Sequence, residues 1–212
     1  MTRAAALFLL AFAACPAAAQ DDARAYLGLA PDPAARIMEL GTWVARDGLT
    51  FLADAFILPG GGAMQPLPVP ETQADLAVRL RASDGSVALF AAIFSANPIR
   101  CGEEVGAFPI ESGYAALMSP QDLAALDLYI ARGLMTGGDD VSQQIDRALN
   151  GAPLLLTLPD ATTYPIVPTT IEGDLPAYAL YDTDGDMAAL YGVFDLAVPD
   201  AGAPPPCVQS LS

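Results

Sequence analysis

Asp182-Thr183-Asp184-Gly185-Asp186 sets three carboxylates at alternate positions around a glycine. That spacing resembles the opening of a calcium-binding loop, where side-chain oxygens converge on a hard cation. The full pattern is not met. Met187 stands where the sharp-turn glycine belongs, and Val193 stands where a bidentate glutamate belongs. The run therefore reads first as a polar hairpin turn, with Asp182, Asp184 and Asp186 as a candidate calcium set; calcium is the one cofactor the sequence suggests. A second acidic group is Glu103, Glu104 and Glu111, near Cys101. Paired carboxylates about 5 to 10 Å apart do acid–base work on glycosides. Only one tryptophan, Trp43, is present to stack a sugar. Arg79 and Arg81 share one face of a strand, and Arg100 precedes Cys101. A guanidinium can hold an anionic ligand bidentately, or pair with the surplus acids. Tyr164, Tyr178, Tyr181 and Tyr191 gather late in the chain; Tyr178 and Tyr181 are candidates for contact with a partner, as aromatics with a polar tip suit protein interfaces.

Much chemistry is excluded by residue type. There is no histidine, and all nine basic residues are arginine. Ser-His-Asp, Cys-His and Ser-Lys catalysis, Schiff bases and histidine metal sites all fall away. Ser112 has neither a histidine to activate it nor the glycine two residues earlier that a nucleophile elbow needs. The formal charge is −16, and no base follows Arg147. Such a chain repels nucleic acid and anionic membranes and attracts cations or basic partners.

Residues 1–19 have the grammar of a secretory signal peptide. Arg3 gives the positive start, Ala4 to Ala14 the short apolar segment, and Ala17 and Ala19 the small residues before a cut. Export to the periplasm or beyond is the expectation. Phe12-Ala13-Ala14-Cys15 also resembles a lipobox, which would instead anchor the protein through an acylated Cys15. The remaining cysteines, Cys101 and Cys207, allow a single pairing in an oxidising compartment. Ala203-Pro204-Pro205-Pro206 would lead into that bond as a stiff tail.

The elements that position these residues are mostly strands. Residues 20–40 read as a lead and a helix starting at Asp32-Pro33 and ending before Gly41. Thr42–Ala45 and Leu49–Phe56 read as a hairpin about Asp47-Gly48. Pro59–Pro70 reads as a loop. Leu76, Val78 and Leu80 alternate with Arg79 and Arg81 as a half-buried strand, turned by Asp84-Gly85 into a central strand over Val87–Phe94. Asn97–Gly106 reads as a loop, followed by short strands over Ala107–Ile110 and Tyr114–Met118. Ser119-Pro120-Gln121-Asp122 is a helix start with a capping box. A further helix is expected over Asp140–Leu149. Leu154–Leu158 reads as a strand and Tyr164–Ile171, with Pro165 and Pro168, as an edge strand. Pro176–Tyr181 and Met187–Leu196 form the last hairpin. The sum is an α+β fold: one domain over residues 41–200, mainly antiparallel sheet built from hairpins with about three short helices, and a tail over 201–212 tied by its disulfide.

Three stretches resemble the bacterial DUF4241 family, a domain of unknown function: Asp47-Gly48 with Leu49–Asp54; Phe108–Met118 leading into Asp122; and Gly173–Asp182 with Asp184-Gly185 and Phe194-Asp195. Ala55 and Ala179-Leu180 depart from the pattern. The resemblance implies one compact domain over roughly residues 41–197 and brings no catalytic residues. The sequence thus points to an exported, non-catalytic binding or envelope-associated protein with an unknown protein partner, no nucleic acid and no membrane span after signal cleavage. A carboxylate- or calcium-dependent hydrolase is the competing class.

Overall fold

A computed structural model describes residues 22–30, 36–55, 64–70, 73–126, 128, 147, 150–157, 162–195 and 205–207. Residues 1–19, read as a signal peptide, with Cys15, and nearly all of the helix expected over 140–149 lie outside them. Eleven strands are described: β1 (Arg36–Val44), β2 (Leu49–Asp54), β3 (Leu67–Pro68), β4 (Gln73–Leu80), β5 (Val87–Ile93), β6 (Ile99–Ile110), β7 (Tyr114–Met118), β8 (Leu154–Thr157), β9 (Thr163–Pro168), β10 (Gly173–Asp182) and β11 (Met187–Val193). They form two antiparallel sheets, ordered β1-β4-β5-β11-β10-β6 and β3-β2-β7-β9-β8.

Alternation along the strands explains the layering. Leu76, Val78, Phe90, Phe108 and Leu190 of the first sheet join Leu52, Leu117 and Ile166 of the second in the main core. The opposite face of the first sheet carries Ala77, Leu89, Ala91, Ile93, Leu180 and Ala189. These are covered by Ala23, Leu27 and Leu29 from a short helix, α1 (Ala23–Tyr26), and the residues after it. Asp22 caps α1 by accepting from the Ala25 amide at 2.9 Å. β5, buried at every position, is the central strand its apolar run predicts.

Several expectations hold. The β4–β5 hairpin turns near Gly85, at φ 75°, and β10–β11 is the last hairpin. Residues 120–126 are helical (α2), and the capping box is reciprocal: the Asp122 amide donates to Ser119 Oγ at 3.0 Å and the Ser119 amide to an Asp122 carboxylate oxygen at 3.1 Å.

Five expectations are corrected. Arg36–Leu40 is strand, not helix: it runs on into the strand expected from Thr42, eight residue pairs with β4 hold β1 in the sheet, and Gly41, read as a helix stop, follows a register shift after Glu39. The Asp47-Gly48 turn forms, but no hairpin follows. β1 pairs with β4 and β2 with β3 and β7, so the turn carries the chain from one sheet to the other. Asn97–Gly106 is not a loop; β6 runs unbroken for 12 residues because β10 pairs along its whole length. β9 is not an edge, since it lies between β7 and β8. Its prolines survive there because β7 pairing reaches only Ile166–Pro168, so Pro165 has a partner on the β8 side alone, Leu155, and Pro168 lies at the end of the β7 ladder. About three helices is not matched either, because Arg36–Leu40 of the first expected one belongs to β1.

Candidate functional site

The acidic turn is built by the end of β10. Asp182 is buried, with 2% exposure, although it faces the exposed residues Thr183 to Asp186. One carboxylate oxygen accepts from the Asp184 and Asp186 amides at 3.0 and 3.1 Å. The other accepts from Ser95 Oγ and Asn97 Nδ2, both at 3.1 Å. Burial pushes the Asp182 carboxyl up, but the donors from Asn97, Asp186, Ser95 and Asp184 outweigh it and hold it below the ordinary carboxylate value. Asp184 is tied in by a longer bond from Asn97 Nδ2 at 3.4 Å. The three aspartates form no group able to hold a metal ion, and neither do Glu103, Glu104 and Glu111 among the described residues. The turn is an aspartate cage that closes the hairpin.

The tyrosines separate by sheet face. Tyr178 on β10 stands opposite Tyr191 on β11 and Glu104 on β6. The two rings stack at 5.4 Å between centroids, 24° from parallel. Both rings are partly exposed, on the face where α1 covers the strands nearer β4. Burial, with the neighbouring Tyr178, pushes the Tyr191 phenol up to about 12. Burial and then Glu104 raise that of Tyr178. Tyr181 packs instead toward the main core; burial first, then the charge and hydrogen bond of Glu103, raise its phenol. Tyr164 and Trp43 are fully buried, so neither offers a ring to a sugar.

The arginines differ in their engagement. Arg81 bonds Asp195 at 2.7 Å through Nε and donates to the Phe194 carbonyl at 3.2 Å, pairing with the acidic surplus as its surroundings favour. Arg79 lies under Gly28, where an added Cβ would meet its Nη1 at 2.6 Å. Arg100 borders Gly185. Ser112 donates its hydroxyl to Asp54 at 2.6 Å and its amide at 2.7 Å, so it is a turn residue held by a buried carboxylate. Asp54 also accepts the Glu111 amide at 2.7 Å. Sequence reasoning missed Asp54, Ser95 and Asn97, because their partners lie more than fifty residues away in the chain. It also missed Arg24, which bridges Glu39 at 2.8 Å and Asp75 at 3.4 Å beside an open hollow of about 140 Å³.

Cys101 and Cys207 are bonded, with Cα atoms 4.9 Å apart and a sequence separation of 106. Among the described residues no helix is long and apolar enough to cross a membrane. Compared with family models, with curated proteins and with solved structures, the chain matches none. The likeness to DUF4241 therefore stays a resemblance.

Proposed function

We propose that this is an exported, non-catalytic binding protein whose contact surface centres on Tyr178, Tyr191 and Glu104. The observation that carries the reading is the stacked tyrosine pair. Two aromatic rings left partly open on a sheet face, beside a carboxylate, combine apolar contact area with polar tips at low conformational cost. The surplus of acid selects a partner with a basic, arginine- or lysine-bearing patch. Absence of histidine and lysine from the sequence agrees with binding rather than catalysis. Export rests on the signal-like residues 1–19, and the Cys101–Cys207 bond fits an oxidising compartment.

The test is affinity capture from an envelope extract, comparing the wild type with Tyr178→Ala, each checked for folding by circular dichroism. A partner captured reproducibly by the wild type and lost with the variant supports the reading. Equal capture by both, or none by either, rejects this surface. Export is checked by sequencing the mature N-terminus: Gln20 marks signal cleavage, whereas an acylated Cys15 marks the lipid-anchored form.

A further inference from the structure

The tail offers something beyond that reading. β6 is paired along one side by β10, from Ile99 to Ile110. β2 runs close to β6, and Asp54 at its end takes the Glu111 amide just past β6; among the described residues, the half of β6 around Gly102 is an outer sheet edge paired only by residues 205–207. Residues 205–207 lie on that edge. The Gly102 amide donates to the Pro205 carbonyl at 3.1 Å, and the Cys207 amide donates to the Gly102 carbonyl at 3.3 Å. Gly102 and Pro206 form a parallel bridge. Pro205 and Pro206 have no N–H, so within this strap only Cys207 can donate. Both prolines are exposed, so the strap buries little apolar surface. What keeps it in place is the covalent bond, which gives two otherwise marginal hydrogen bonds a high effective concentration. Cys101 is 5% exposed, whereas Cys207 is partly open to solvent.

We propose that Cys101–Cys207 is a redox latch that holds the strap Pro205–Cys207 over the free half of β6. The reductant is an external dithiol. Its thiolate attacks Cys207 Sγ, the Cys101–Cys207 bond breaks and Cys101 leaves as thiolate. The second thiol then displaces Cys207 from the mixed disulfide. Two electrons pass to the protein, two cysteine thiols result after proton uptake, and the dithiol becomes a cyclic disulfide. The two sheets remain, because their ladders and cores do not involve the strap. The Gly102 N–H and C=O are then uncovered, as a strand edge open to another extended backbone.

Amide hydrogen exchange by NMR, on oxidised protein, on protein reduced with dithiothreitol and on Cys207→Ser, tests the latch. After reduction, and in Cys207→Ser without reductant, the Gly102 and Cys207-position amides should exchange as unpaired groups while those of β10 and β11 stay protected. Continued protection of Gly102 after reduction would overturn the proposal, since the strap would then hold without its bond. Loss of protection throughout β10 and β11 would overturn it equally, since the disulfide would then be a structural staple and not a latch.

Discussion

Asp182 turns a chemically suggestive residue into a structural one. Four donors converge on its carboxylate, two from side chains of the β5–β6 connection and two from its own turn. Asp182→Ala leaves these groups without their acceptor and should lower stability by about 1–3 kcal/mol, measured by urea unfolding. Asp182→Asn keeps an oxygen for the two amides but turns an N–H2 toward Asn97, and should recover part of the loss. The pH dependence has a definite sign. The folded carboxyl titrates below the ordinary 3.8, so its contribution is present above that value and is lost as acid protonates it in the folded state. Tyr191 sets the opposite limit. Its phenol ionises near 12 in the folded protein but near 10.0 when unfolded, so its contribution is present below about pH 10 and disappears as pH rises through 12. Ultraviolet titration should show one tyrosine ionising near pH 12, and Tyr178→Phe should move that step down only slightly, because burial is the larger cause.

At the scale of elements, what was legible in the sequence is what local chemistry decides. Asp84-Gly85, the unbroken apolar run of β5 and the Ser119–Asp122 box each contain their own instruction, and each forms as read. Where partner choice decides, the sequence is silent. Ile37 and Leu40 fit a helical stripe as well as a strand, and β4 alone settles the matter by pairing with Arg36–Val44. Asp47-Gly48 specifies a turn but not which sheet receives β2. The candidate site divides the same way: the tyrosine alternation was readable, whereas the side-chain donors to Asp182 and the donors to Asp54 come from turns distant in sequence. The segment after α1 makes a further prediction. Gly28 sits at φ 62°, and its missing Cβ is occupied by the tip of Arg79. Gly28→Ala should cost about 1–2 kcal/mol through left-handed strain. Since a guanidinium tip can swing aside, the same substitution in an Arg79→Ala background should cost nearly as much. A large coupling in that double-mutant cycle would mean that Arg79 is pinned under the loop.

Across the whole molecule, charge works against compaction. The chain carries −16 with nine cations, and four of its ion pairs among the described residues come from only two arginines, Arg24 and Arg81. The pairs of Arg24 and Arg81 are at least partly open to water, where each contributes little. The many unpaired carboxylates repel one another over distances comparable with the size of a sheet, and folding concentrates them. Salt shortens that reach, from about 10 Å at 0.1 M to about 3 Å at 1 M. Sodium chloride should therefore raise the urea midpoint, steeply at low concentration and little once the repulsion is screened. Lowering pH toward the sequence isoelectric point near 4.1 should raise it too, until the Asp182 cage begins to protonate and reverses the gain. The two effects differ at Asp182→Ala: the salt response should survive the substitution, because it belongs to the net charge, whereas the acid-side loss should diminish, because Asp182 supplies part of it. A midpoint that falls with salt would mean instead that the few ion pairs, and not the surplus acid, govern the electrostatics of this fold.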